Sequence, residues 1–148
     1  MVLLSQMLAQ IYEAMRSELR SKSYLQIDET PVRYLNAGTG KCGKGYLWVY
    51  NDPHGTVVFE WHTSRAQRCL DGMLKDFNGV VQSDGYQAYE GYRKQNPHLQ
   101  LICCWAHARR KLKEVFDRDG SEIAAEGLRR IAELYRIEAE IQGMGLGQ

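Results

Sequence analysis

Two aspartates are the residues best suited to do chemistry together. Asp28 and Asp84 lie fifty-six positions apart, each at the end of an apolar segment that predicts a β-strand. Strand ends of an open mixed sheet are where ligands gather. Two carboxylates that converge there repel each other unless a divalent cation lies between them, and hard oxygen ligands favour Mg²⁺ or Mn²⁺. Such a metal can activate an attacking oxygen in phosphoryl transfer.

Asp84 also has a simpler interpretation. It precedes Gly85, and an Asp-Gly pair ordinarily marks a turn, because both residues tolerate turn conformations. On composition alone, the turn is the commoner outcome. A choice between a turn residue and a metal ligand therefore needs a second, independent pattern.

Hydrophobic periodicity predicts the elements that must position these aspartates. Apolar residues at helical spacing indicate a leading amphipathic helix over 3–20. The first strand is predicted to end or bend near Asp28, because Pro31 marks an edge or an irregularity. In all, apolar segments between turn residues indicate strands over 24–35, 46–50, 56–61, 80–81 and 99–104.

Helices fill the remaining segments. The helix that follows Ser64 is predicted to end near Asn78, a short one covers 86–94, and two more occupy the chain from Trp105 onward. The sequence thus predicts an α/β fold, with a mixed five-stranded sheet flanked by helices and a C-terminal all-helical segment.

Composition limits the class of protein. The chain has 148 residues, of which 44% are hydrophobic and 25% charged, as expected of a globular domain. It contains neither a signal peptide nor an apolar run of about 18 residues, so we expect a cytoplasmic protein with no membrane partner. The net charge of +1 excludes a polycation, and any binding of nucleic acid must come from local clustering.

One stretch is locally basic. Residues 109–118 carry only two acids, Glu114 and Asp117, against the cations Arg109, Arg110, Lys111, Lys113 and Arg118. A charge run on a helix is usually a solvated face. Beside two metal-binding acids, the same run could contact the phosphates of nucleic acid.

Four segments together resemble one known family. They stand in the order, and at about the spacing, found in bacterial insertion-sequence transposases of the sixty-six type, which belong to the DDE class. Several motifs that match in order are more specific than one Asp-Gly pair, and the resemblance extends from the leading helix to Glu140. The segments are Ile27–Val32 (IDETPV), Gly45–Tyr50 (GYLWVY), Gln82–Tyr89 (QSDGYQAY) and Cys104–Lys111 (CWAHARRK).

The resemblance implies a fold, a reaction and a site. The fold would be a ribonuclease H-like catalytic core, and the reaction DNA transposition by metal-assisted phosphoryl transfer, with strand cleavage followed by strand transfer. Asp28 and Asp84 resemble the first two catalytic aspartates and would be the ligands of Mg²⁺ or Mn²⁺. Glu29 should point away on its strand, and His107 falls in a motif near the active site of the family.

The resemblance also implies partners. These are the DNA of the element ends and of the target, whose backbone would be held by Arg109, Arg110, Lys111 and Lys113. A homo-oligomer is left open. The location would be the bacterial cytoplasm, with nucleoid association when the protein acts.

The third catalytic acid is where the sequence departs from the family. In the family a glutamate follows a helical insertion and precedes an Arg-Lys-Asn motif, and no such segment occurs before Gln148. Glu114 lies on the basic helix, and Glu122 opens a helix where acids favour the N-terminal dipole, so we expect neither to replace it. We therefore expect a partial catalytic domain that is inactive alone: a leading helix (1–22), a partial ribonuclease H-like domain (23–118) and a truncated helical insertion (119–148).

Two other functions stay open. The chain could be a non-catalytic DNA-binding or oligomerising remnant. It could also be a generic ribonuclease H-like nuclease, which would need its third acid within these residues. Cys104-x-x-His107 resembles half of a zinc site, but a second ligand pair is missing, which favours a buried thiol and a polar histidine.

Overall fold

The computed structural model describes residues 2–144, with side chains from residue 4 onward. The chain divides into two compact units, one up to Ile102 and one from Cys103 on. The sequence predicted three segments, 1–22, 23–118 and 119–148, and these boundaries stay predictions. No described helix is long and apolar enough to cross a membrane.

A mixed sheet of five strands organises the first unit. β1 pairs antiparallel with β2, and β2 pairs antiparallel with β3, whereas β4 lies parallel to β1. This arrangement confirms the α/β class and the mixed five-stranded sheet predicted from the sequence. The strands, in the spatial order β3-β2-β1-β4-β5, are β1 (Tyr24–Leu35), β2 (Cys42–Asn51), β3 (Val57–His62), β4 (Val80–Ser83) and β5 (Gln100–Cys103).

The helices of this unit pack against one face of the sheet. They are α1 (Val2–Arg20), a 3-10 turn (Gln67–Leu70) that leads into α2 (Asp71–Leu74), and α3 (Gln87–Gln95). The strand residues between the core positions belong to the opposite face, where Leu47, Phe59 and Trp61 are exposed. Alternate residues of the strands point into the core. These core side chains include Leu25, Ile27, Trp48, Tyr50, Val58 and Val81.

The leading helix α1 is amphipathic, as its sequence predicts. Leu19 near its end is fully buried, and Tyr12 and Met15 pack against the same core. Arg16 fixes the helix further, because its Nη2 donates a hydrogen bond to the Gly72 carbonyl oxygen at 2.6 Å. Toward the start of the helix the apolar stripe continues, but its side chains are exposed; they are Leu4, Met7, Leu8 and Ile11.

Strand β1 covers the whole segment 24–35 that the sequence predicted. It continues through Asp28 and Pro31, because β2 pairs with it along its length as far as Leu35. Beyond Gln26, no described residue of β4 pairs with β1. The missing N–H of Pro31 therefore interrupts no hydrogen bonds between β1 and β4. The sequence predicted an end or a bend near Asp28; the end is wrong, and the bend stays a prediction.

The segment after β3 is less helical than predicted. The sequence predicted Ser64 as its cap, but the cap residue is Ala66, and the Ser64 Oγ accepts a hydrogen bond from the Ala66 N–H at 3.1 Å in the turn before it. The helix α2 nevertheless ends at Leu74, and Asp76 takes a left-handed conformation with φ of +63°. That conformation is incompatible with a right-handed helix, so the helical stretch ends before the predicted Asn78.

The second unit is a helical hairpin of α4 (Trp105–Asp119) and α5 (Glu122–Gly143). Gly120 joins them with φ of +62°, and the Ser121 Oγ accepts a hydrogen bond from the Ala124 N–H at 3.3 Å, which caps α5. The helices approach closely where the Leu112 side chain covers Gly127; a Cβ added there would lie 2.8 Å from Leu112 Cδ1.

Candidate active site

Asp28 and Asp84 each lie two residues beyond the last pair of two parallel strands. Gln26 of β1 pairs with Gln82 of β4, and the other pairs of these strands have the same offset. Extended two residues beyond the last pair, the same offset predicts that Asp28 lies opposite Asp84, which directly follows the end of β4. The fifty-six residues that separate the two aspartates in the sequence are thus the offset of the strand pairing itself.

Side-chain amides hold the strands together just before these aspartates. Gln26 Nε2 donates to Gln82 Oε1 at 3.0 Å, and Asn51 Nδ2 of β2 donates to Gln26 Oε1 at 2.8 Å. The Tyr24 hydroxyl also donates to Gln82 Oε1 at 2.7 Å. This partly buried network joins three strands on one face and fixes their register where the carboxylates follow.

Asp28 lies on the face of the sheet opposite the helices. Burial alternates along β1, so that Leu25, Ile27 and Glu29 are buried while Asp28 is only half-buried. Its Oδ1 accepts a hydrogen bond from the Glu29 backbone N–H at 2.9 Å. The prediction that Glu29 points away from Asp28 follows the same alternation, and the burial pattern confirms it.

Glu29 is a buried carboxylate with two donors. None of its side chain is exposed, and the Tyr89 hydroxyl of α3 donates to its Oε2 at 2.5 Å. Arg65 Nε donates to its Oε1. Burial raises the pKa of Glu29, whereas the hydrogen bonds from Tyr89 and Arg65 act in the opposite direction. Glu29 can stay charged although it is buried, because the Arg65 guanidinium pairs with it.

Arg65 links this buried acid to Asp84. Its Nη2 donates to Asp84 Oδ2 at 2.8 Å, and its guanidinium lies 3.8 Å from the centroid of the Tyr86 ring. The other Asp84 oxygen, Oδ1, accepts a hydrogen bond from the Tyr86 N–H at 2.9 Å. Asp84 is therefore a turn residue and also the ion-pair partner of Arg65, whereas its role as a metal ligand stays a prediction.

The sequence contains a signal for Glu29 but hardly one for Arg65. The alternation Leu25, Ile27, Glu29 puts an acid on the buried face of a strand, which by itself requires a cation or a donor nearby. Arg65 follows an irregular segment and lies thirty-six positions away. Nothing in its local sequence sets it apart from other surface arginines.

The carboxylates of Asp28 and Asp84 fit a hard divalent cation. Mg²⁺ is usually held by one or two carboxylates, with water and substrate phosphates completing its shell. Asp28 and Asp84 match that pattern. Within residues 2–144, no three His, Cys, Asp or Glu side chains group so as to hold a metal ion.

The remaining residues singled out from the sequence belong to the helical hairpin. His107 is half-buried on α4, and the four predicted DNA-binding cations are exposed along the same helix. Lys111 pairs with Glu114 at 3.2 Å, and Lys113 pairs with Asp117. A groove between α4 and α5 is lined by Ala106, Arg109, Arg110, Lys113, Glu114, Asp117 and Tyr135.

Three acids of α5, Glu126, Glu133 and Glu140, form ion pairs within their own helix. Glu126 receives hydrogen bonds from Arg129 and Arg130, each at 2.8 Å or less, and they hold its pKa at about 2. Glu133 pairs with Arg129 at 2.5 Å. These glutamates therefore pair with arginines of α5.

Comparison with known proteins identifies the family. The model of the Transposase IS66 family matches residues 1–145, and the chain belongs to this family. The resemblance predicted from four motifs is thereby confirmed.

Two curated relatives come from Sinorhizobium fredii (strain NBRC 101917 / NGR234). Uncharacterized protein y4qI is 34% identical over 130 residues, which are 78% of this chain and 24% of the relative. Uncharacterized protein y4jD is 34% identical over 147 residues, which are 90% of this chain and 29% of the relative. The chain thus spans between about a quarter and a third of the length of these relatives.

Proposed function

We propose that this chain is part of the catalytic domain of a DNA transposase that works by metal-assisted phosphoryl transfer. The observation that carries the proposal is the register of β1 and β4, whose offset, extended two residues beyond the last pair, predicts that Asp28 lies opposite Asp84. The fold would be ribonuclease H-like. Three antiparallel strands followed by strands that alternate with helices agree with that fold.

In this proposal Asp28 and Asp84 hold Mg²⁺ or Mn²⁺. When bound, the metal would activate the attacking oxygen, first of water at the element end and then of the freed 3′ hydroxyl. The protein contributes position: the amide network fixes the register of the strands, and the turn at Gly85 holds one oxygen of Asp84. Positioning of this kind supplies much of the rate in phosphoryl transfer.

The DNA backbone would be bound by the helical hairpin. Arg109, Arg110, Lys111 and Lys113 are all exposed on α4, and all of them except Lys111 line the groove of the hairpin. Cations that neutralise phosphates release counterions, which gives affinity without sequence preference. Element ends and target DNA are the proposed partners, and His107 stays a proposed neighbour of the active site.

The metal site is tested without any assay of activity. We expect Mn²⁺ to broaden the amide NMR signals of residues near Asp28 and Asp84 more than those elsewhere, because a bound paramagnetic ion relaxes nearby nuclei. Asp28→Asn and Asp84→Asn should each remove this selective broadening. The matched control is Asp71→Asn, since Asp71 is an exposed acid on α2 of the same unit.

The outcome also separates the proposal from its alternative. Equal broadening in the wild type and both asparagine variants would contradict a metal site at these aspartates. If DNA binding persisted in that case, the chain would be a non-catalytic DNA-binding remnant.

A further inference from the structure

Arg65 occupies an unusual place between two carboxylates. One edge of its guanidinium, at Nε, contacts Glu29, and Nη2 contacts Asp84 at 2.8 Å. Glu29 belongs to the covered face of β1, whereas Asp84 follows the end of β4. One side chain therefore connects the interior of the unit with a proposed metal ligand.

The inner contact of Arg65 is firmly held. The Glu29 side chain has no exposed surface, and the Tyr89 hydroxyl binds its second oxygen at 2.5 Å. A buried carboxylate that loses its cation pays a large desolvation penalty, so Glu29 keeps Arg65 in place. The Tyr86 ring, 3.8 Å from the guanidinium, stacks against it and limits its remaining freedom.

The outer contact acts on a residue that needs such support. Asp84 comes after the last residue of β4, so strand pairing does not fix its side chain. The Tyr86 N–H holds Oδ1 and Arg65 holds Oδ2. Arginine suits this task because its planar fork presents several donors in a fixed geometry.

We propose that Arg65 is a positioning residue for the metal site: anchored on Glu29, it fixes the Asp84 carboxylate in the orientation that binds the divalent ion. The inference rests on the proposed function, since it assumes that Asp84 is a ligand. Groups that orient metal ligands typically change affinity or activity by about 10- to 100-fold when they are removed.

The test measures Mn²⁺ affinity from the selective broadening of amide signals near Asp84 in Arg65→Gln and Arg65→Lys. We expect both variants to need about 10- to 100-fold more Mn²⁺ for half-maximal broadening. Lysine should fail as well, because a single ammonium cannot reproduce the fork that reaches both carboxylates. The matched controls are Arg68→Gln and Arg68→Lys, since Arg68 is exposed three positions further along.

A milder variant keeps the test independent of folding. Tyr86→Leu removes the ring that stacks on Arg65 but leaves every buried charge paired. We expect it to weaken Mn²⁺ binding about two- to fivefold, the size of an exposed cation–π contact. This variant decides the question if the Arg65 variants do not fold.

The contrary results are distinct. Folded Arg65 variants that bind Mn²⁺ as tightly as the wild type would make the ion pair merely structural. Tighter binding would show that Arg65 competes with the metal, which also overturns the proposal. If Asp84→Asn abolishes the broadening in the same series, only this inference fails. If the wild type itself shows no selective broadening, the proposed function fails, and this inference fails with it.

Discussion

Two adjacent acids on β1 have separate surroundings because a strand alternates its faces. Asp28 stays half-buried on the face away from the helices, while Glu29 is buried among them. The same sequence motif thus supplies one carboxylate to the proposed metal and another to an internal ion pair with Arg65. Substitution of Glu29 tests this internal ion pair.

Glu29→Ala should destabilise the first unit by about 3 kcal/mol, because it leaves Arg65 without its buried partner. This is the lower end of the range for such losses, since the Arg65 side chain keeps 29% of its surface exposed and regains some hydration. Urea denaturation measures the free energy of unfolding. Glu13→Ala is the control, as Glu13 is an exposed acid on α1, and a change above about 0.5 kcal/mol is not expected there. Equal effects would contradict the role of Glu29.

At the scale of elements, the alignment of β1 with β4 depends on a close approach at the start of β4. A Cβ added to Gly79 would lie 2.5 Å from the Ser23 carbonyl oxygen and 2.9 Å from the Phe77 ring. The same carbonyl accepts the Val80 N–H at 2.9 Å, so it cannot move without disturbing the strand pairing.

Gly79→Ala should therefore lower the free energy of unfolding by about 1–3 kcal/mol, the usual effect of crowding a packed position. It should also weaken Mn²⁺ binding, because the offset between Asp28 and Asp84 depends on this pairing. Thermal and urea denaturation provide the first measurement and amide broadening the second. Gly143→Ala serves as the control, since a Cβ there meets nothing within 4 Å. An unchanged stability in Gly79→Ala would show that the strands tolerate displacement.

Regular elements were predictable from the sequence, and irregular contacts were not. Periodicity located α1 and all five strands, because their buried positions repeat at regular intervals. It failed for the helix after Ser64, where the left-handed Asp76 follows no periodic signal. Asp28 and Asp84 were singled out because each follows apolar strand residues, although only Asp84 comes directly after a strand end. Arg65 was missed because a contact across thirty-six positions depends on tertiary packing.

For the whole molecule, binding to DNA is proposed to depend on local cations rather than on net charge, which is only +1. Arg109→Ala/Arg110→Ala should weaken binding by a similar factor on every duplex. It should also reduce the slope of log K against log salt by about two, one for each lost phosphate contact. Titration of a labelled duplex at several salt concentrations measures both.

The control for this series carries the same loss of charge on the other helix of the hairpin. Arg129→Ala/Arg136→Ala removes two arginines of α5 that already pair with glutamates. We expect a smaller change in slope than for the α4 double variant. Equal slopes for the wild type and the α4 variant would remove α4 from the proposed DNA-binding surface.

Catalytic activity is a property of the whole molecule. A polypeptide of these 148 residues should show at most feeble DNA cleavage or strand transfer with Mg²⁺ or Mn²⁺. Two carboxylates leave most of the metal shell to water, and a displacement of about 1 Å can reduce the rate roughly a hundredfold. Assays with Asp28→Ala, Glu114→Gln and Glu122→Gln measure which acids matter. Residual activity should disappear with Asp28→Ala and survive the two glutamine variants; robust turnover that depends on Glu114 or Glu122 would instead identify a complete nuclease.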